Sequence, residues 1–279
     1  MNVILNVKKI YNRFIVFLDR SFGKSCEASV ADVILQREKI DRNQILSVTR
    51  YIDIANFFQN NDESFTNQNT ISRAQYGVRH DEKGGNAAFK NLIHSFQLDG
   101  YDHSSQFTVD RDCRLLDGNH RMALCLYMEI DSICLRYLQR RSKNTFGTEL
   151  YTRLGIEESV IQNWLCEYER LNQRLMEKGH CFVANFNDPS LLDEFADFAV
   201  CQRFFTVNQD GNRSFVVLFA MKDPKYICKN GVLISRSARD AEKRLSGIAP
   251  IVISKNCLQG KQFYDRLSKG GLTPFSYNR

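Results

Sequence analysis

Proline is scarce in this sequence, with four in 279 residues, and tryptophan occurs once. No Gly/Ser-rich or repeated stretch interrupts the chain, so long flexible spacers are excluded and a compact body is expected. The length suits one large domain or two small ones. Hydrophobic runs are short: none approaches the roughly 20 apolar residues that a bilayer-crossing helix needs. The five histidines show no His-x-x-x-His or Cys/His spacing, which argues against a zinc site. A Gly-x-Ser-x-Gly elbow, a Walker box and the protein-kinase signature set are all missing.

Nine cysteines are scattered without a Cys-x-x-Cys pair, which argues against a zinc ribbon or a redox dithiol. Their odd number, with no signal-peptide pattern at the start, argues against a secreted disulfide framework. Buried thiols in a reducing cytoplasm are expected instead, Cys125 and Cys134 foremost because they lie on apolar runs.

Charge is present but uneven. The chain carries +6, and Lys222 to Arg279 holds twelve Lys/Arg against four Asp/Glu, so the rest is slightly acidic. Such a basic region suits anionic partners, and equally a solvated surface. Residues 2–20 set Ile4, Leu5, Val7, Ile10, Phe14 and Phe17 among Lys8, Lys9 and Arg13. As a helix this is basic and amphipathic, fit to pack on its own domain or to lie on an anionic membrane surface.

Patterning predicts helices over 28–39 and 43–59, a polar loop over 60–70, and over 71–86 a charged stretch with Arg73, Arg79, Asp81 and Glu82 that suits a mobile active-site loop or equally a plain surface loop. Arg140 to Asn144 reads as a boundary. Beyond it, Val160, Ile161, Trp164, Leu165, Tyr168, Leu171 and Leu175 form the stripe of a helix over 157–178. Asp188-Pro189 suits a helix start, expected to run to about Phe204. Phe215–Met221, Val232–Ile234 and Ile251–Ile253 read as strands, with a basic helix capped near Ser237 between the last two. The reading is α+β in three parts: a helical segment over 1–60, a core over 61–140, and a helical then mixed α/β region over 141–279.

The most informative stretch is Asp117-Gly118-Asn119-His120-Arg121. It lies between the apolar pair Leu115-Leu116 and the helix-like run Met122–Met128. Glycine permits a sharp turn with positive φ, after which the first helical N–H groups point outward with the positive dipole end behind them. Arg121 adds a planar charged fork, and His120 a donor whose charge changes near neutral pH. Asp-Gly and Gly-Asn also serve ordinary turns, so the pentapeptide alone leaves both readings open.

Its flanks favour phosphate. Phe107-Thr108-Val109, Arg114–Asp117, His120–Tyr127 and Ile133–Leu138 read as strand, strand, helix and strand, after a helix around Phe89–Phe96. This order, with its Gly-x-His-Arg box, resembles the ParB/sulfiredoxin-like superfamily over about residues 66–140. The resemblance implies a small mixed sheet with helices, and nucleotide binding through Gly118, His120 and Arg121. Asn119 stands where sulfiredoxins carry Cys, against sulfinic-acid repair, and His120 departs from the Glu-Arg-Arg box of the CTP-binding partitioning proteins. The expectation is an ATP-dependent phosphotransferase acting on a small hydroxyl compound, a sugar or a glycan precursor. Asn119 supplies an amide to the phosphates, and Arg73 and Arg79 add charge. Asp117 serves as base or holds Mg²⁺ through water, with His120 and Glu82 as further acid–base candidates. The chain would then be cytoplasmic, or peripheral to the inner membrane face. A DNA-binding or nuclease-like protein and a non-catalytic nucleotide sensor are the alternatives.

Overall fold

A computed structural model describes residues 23–34, 40–141, 147–196, 198–207, 211–221 and 224–276. The amphipathic segment 2–20 and most of the boundary at 140–144 lie outside the described residues.

The chain is mixed α+β. It opens with strand β1 (Lys24–Ala28) and a short helix α1 (Val30–Ile34), then helix α2 (Arg42–Asn60). Asp41 starts α2 by accepting from the amides of Asn43 and Gln44, and the Gln44 side chain reaches back to the Asp41 amide. This reciprocal cap satisfies N–H groups that the first turn leaves open. Helices α3 (Thr66–Tyr76) and α4 (Gly85–Asp99) follow, and then β2 (Phe107–Val109), β3 (Leu115–Asp117), α5 (Asn119–Tyr127) and β4 (Ile133–Tyr137). The remainder holds helices α6 (Gly147–Arg153) and α7 (Glu158–Glu177), strands β5 (Phe182–Phe186), β6 (Ala199–Val207), β7 (Arg213–Ala220), β8 (Tyr226–Lys229) and β9 (Val232–Ser235), helix α8 (Arg236–Leu245), strand β10 (Ile251–Ile253), helix α9 (Cys257–Ser268) and strand β11 (Thr273–Pro274).

Two sheets result. The first has the order β3-β2-β4-β1-β9-β8 and the second β10-β5-β7-β6-β11. In the first, β2 is antiparallel to β3 and parallel to β4, so α5 is the crossover that carries the chain from β3 past β2 to β4. Strands from residues 24–28, 107–137 and 226–235 thus share one sheet. One contiguous core cluster reaches from Phe107, Leu124 and Leu135 to Phe182, Phe195 and Phe219. The amphipathic stripe of α7 buries Ile161, Trp164, Tyr168, Leu171 and Leu175 and half-buries Val160 and Leu165, with Trp164 and Ile161 packed near Tyr151 and Ile45. Among the described residues no helix is long and apolar enough to cross a membrane.

Several expectations need correction. The stretch read as a helix from residue 28 is instead preceded by a strand, whose Cys26 and Ala28 alternate inward and pair with β4. Most of the second half of the expected 60–70 loop, and the first part of the charged 71–86 stretch, form α3, with Gln68, Asn69, Ile71 and Ser72 buried. Its polar composition conceals a helix because polar side chains are the ones buried. After Asp188-Pro189 only a 3₁₀ turn forms, Pro189–Phe195, and residues 199–207 are a strand. The β-branched and aromatic residues Val200, Phe204, Phe205 and Val207 gain a ladder with β7 there, and this pairing outweighs the helix-start signal. Ser235, not Ser237, caps α8. Cys125 is fully buried, but Cys134 only half-buried.

Asp32 joins distant parts of this fold. It is 1% exposed. Its carboxylate accepts from the Ser29 amide (3.1 Å), the Tyr226 hydroxyl (2.7 Å) and the Cys257 amide (2.9 Å). The first turn of α1, strand β8 and the start of α9 therefore meet on one buried group. Asp32→Ala should cost about 3 kcal/mol or more, because several buried donors lose their acceptor together. A lower urea midpoint at unchanged m-value would report this, and a midpoint equal to wild type would contradict it.

Candidate functional site

The short strands β2 and β3 deliver the chain to a turn at Gly118, which begins α5. Gly118 has φ +103°, and a Cβ there would lie 2.7 Å from the Phe107 ring and 3.2 Å from Arg121 Nη2. Only glycine takes this conformation at little cost. Met122 to Leu126 are wholly buried, so the helix is held firmly behind its first turn. Met122 N–H gives the first intrahelical bond, to Gly118 O at 2.8 Å, and no side chain caps the start. The amides of Asn119, His120 and Arg121 precede that bond and have no acceptor within the helix. They form a half-buried cluster of donors at the positive end of the helix dipole.

The side chains around this turn divide their work. Arg121 lies over the Phe107 ring, 4.9 Å from its centroid. Its Nη1 donates to Ser105 O (3.0 Å) and to the Ser105 hydroxyl, and its Nη2 to Gln106 O (3.3 Å). A guanidinium has five N–H donors, so two remain for a ligand. Asn119 turns toward α2, where it accepts from Ser47 Oγ (3.1 Å) and lies 3.5 Å from Asn43 Oδ1. Asn43 in turn donates to Leu115 O at 2.5 Å, which ties α2 to β3. The Asn119 side chain is thus structural, and only its backbone amide faces the turn's open end.

His120 does not behave as a group that titrates near neutrality. Its Nε2 lies 2.9 Å from Gln68 Oε1, and its ring packs against Phe89 (4.8 Å) and His80 (6.1 Å). Burial lowers its pKa to about 3, and Arg50 and His80 push in the same direction. At neutral pH it is an uncharged imidazole that positions its neighbours, so the expectation of a switchable charge is corrected.

Asp117, the last residue of β3, is exposed beside the turn. It stands there as a single carboxylate, and among the described residues no group of three or more potential metal ligands forms. Mg²⁺ is commonly held by one or two carboxylates together with phosphate oxygens and water, a mode that Asp117 alone fits.

The other expected residues lie apart from the turn. Arg73 and Arg79 line a separate cavity of about 620 Å³ with Ser64, Thr70 and Glu157. Helical spacing sets Arg73 on the side of α3 opposite Gln68. Arg79 pairs with Asp81 at 3.0 Å. Glu82 is exposed on the 3₁₀ turn Asp81–Lys83. The structure thus gathers Asp117, Gly118, Asn119, His120 and Arg121 at the turn, while Arg73 and Arg79 line a different cavity and Glu82 is exposed on the 3₁₀ turn. Sequence reading missed Gln68, Arg50, Asn43 and Ser47. The spacing of Asn43, Ser47 and Arg50 along one helix face was the available signal.

Comparison with protein-family models, with curated proteins and with solved structures finds no match.

The half-buried neutral ring has a pH consequence. Between the ordinary pKa of 6.5 and about 3, the unfolded chain binds a proton that folded His120 refuses. Stability should therefore fall as pH drops through that window. In His120→Gln that part of the slope, at most about 1.4 kcal/mol per pH unit, should disappear. Denaturant titrations from pH 7 to 4 test it, and parallel wild-type and variant curves would contradict a half-buried neutral ring.

Proposed function

We propose that the chain binds nucleotide phosphates at the start of α5 and transfers a phosphoryl group from ATP to the hydroxyl of a small acceptor, such as a sugar or glycan precursor. The observation that carries this reading is the uncapped helix start held open by Gly118, with Arg121 and Asp117 on either side. The element order β2-β3-α5-β4 and the sheet order β3-β2-β4 support a ParB/sulfiredoxin-like core.

Each residue then has a role. The amides of Asn119, His120 and Arg121 hold phosphate oxygens, and the two remaining Arg121 donors add charge. His120 keeps Gln68 and the helix start in register. Asp117 accepts the acceptor's hydroxyl proton, and with phosphate oxygens it is the residue that would hold Mg²⁺, which supplies charge neutralisation when bound. Phosphoryl transfer depends mainly on positioning and electrostatics, which suits a site built from amides, one arginine and one carboxylate.

Arg121→Ala should weaken ATP binding roughly tenfold or more, since a charge-assisted contact is lost. Asp117→Asn should keep nucleotide affinity within a few-fold and lower turnover by about two orders of magnitude or more. Calorimetry with ATP and a turnover screen over sugar acceptors measure both. Unchanged affinity in Arg121→Ala would remove the site, and ATP binding without turnover on any acceptor would favour a nucleotide sensor.

A second reading has its own observation. A cleft of about 510 Å³ is lined by Lys24, Arg111, Arg141, Lys225, Lys229 and Arg236, and its one acid, Asp112, already pairs with Arg141 at 2.9 Å. This surplus suits a nucleic-acid backbone. DNA affinity would then fall steeply with salt, with a log–log slope near −0.9 per phosphate neutralised. Exchanging Lys225, Lys229 and Arg236 for Ala would flatten the slope, and a salt-independent or absent affinity would exclude this reading.

A further inference from the structure

We propose that Arg42, Arg50, Gln75 and Tyr151 form a second oxyanion site, between α2, α3 and α6, that takes a ligand bearing a carboxylate or phosphate group. It is independent of the reading at α5, and either can fail alone.

Hydrogen-bonding capacity motivates it. Arg42 Nη2 donates to Gln75 Oε1 at 2.9 Å, and Arg50 Nη1 donates to Leu46 O at 3.2 Å. Among the described residues, Arg50 Nε and Gln75 Nε2 are buried with no hydrogen-bond partner, and the buried Arg42 Nε and Tyr151 hydroxyl have none at full hydrogen-bond geometry, although the Arg42 side chain stands beside the Tyr151 hydroxyl. The carboxylate acting on Arg50, Asp53, already accepts from the Asn67 amide, Asn67 Nδ2 and the Gln68 amide. Donors therefore outnumber acceptors here, and two guanidinium charges share little compensation. A buried donor without a partner costs about 1–3 kcal/mol, more when charged. Water offers lone pairs without charge, whereas an oxyanion supplies both to several donors at once.

Arg42, Arg50 and Tyr151 share one electrostatic environment, and Gln75 joins them through its bond from Arg42. Burial pulls the Arg50 pKa down to about 10, with Tyr151, Asp53 and Arg42 also acting on it. Burial pushes the Tyr151 hydroxyl up to about 12, opposed by Arg42 and Arg50. Tyr151 is wholly buried, and Tyr76 on α3, which also acts on Arg50 and Tyr151, is 63% exposed. Gln68 Nε2 is likewise buried without a partner and only 4% of its residue is exposed. It continues the donor face toward His120.

The test uses the whole chain with inorganic phosphate and with acetate as separate probes, read by calorimetry and thermal shift. Wild type should bind at least one probe and gain apparent stability. Arg42→Met should weaken that binding tenfold or more, and Tyr151→Phe several-fold. Arg121→Ala, a change at α5, should leave it intact. Which probe binds distinguishes a phosphate ligand from a carboxylate one. Binding of neither probe by wild type, or wild-type affinity in both Arg42→Met and Tyr151→Phe, would overturn the site.

Discussion

Gly118 turns the chain at φ +103°, in a conformation closed to most residues, with the Phe107 ring against the place a Cβ would occupy. Much of the site follows from that close approach. Phe107 begins β2, the strand between β3 and β4. Because the ring reaches Gly118, Arg121 one turn later can lie over it and hold the Ser105–Gln106 backbone that leads into β2. Glycine, ring and guanidinium therefore lock the end of one strand, the start of another and the first turn of α5 into one unit. The rigid part is the frame, and the donors that face outward are backbone amides. A site of that kind is preorganised, which is where electrostatic binding gains most.

Charge on this side of the molecule comes from arginines and from the helix dipole. His120 lies in the middle, half-buried and neutral, with Gln68 on one nitrogen, and desolvation and then Arg50 oppose its protonation. A histidinium beside Arg50 and the dipole would add a third unfavourable charge, so neutrality is the stable state. The same surplus of donors continues along α2 and α3 to Arg42, Gln75 and Tyr151. Helix α2 is the common wall: Asn43 and Ser47 meet Asn119, and Arg50 reaches toward both clusters.

The parts legible in sequence are those fixed by short-range chemistry. The pentapeptide and its flanks marked β2, β3, α5 and β4 closely, because a glycine turn between an apolar pair and an apolar helix is local information. The stripe of α7 was legible for the same reason. Strand β6 was not, since its state is decided by pairing with β7, beyond the reach of the Asp188-Pro189 signal. Helix α3 was hidden because Gln68, Asn69 and Ser72 are buried polar residues, which periodicity of apolar residues cannot find. Within the site, the Asn119 side chain turns to α2 and acts as a strut, and Gln68, read as loop, touches His120. Both depend on which helices pack together.

The central claim, that the start of α5 is where phosphate sits, is tested most directly by amide NMR. Titrating ATP into ¹⁵N-labelled protein should shift the Asn119, His120 and Arg121 amides downfield, saturably and together, as hydrogen bonds to an oxyanion form. Saturation elsewhere with these three amides unmoved would contradict it.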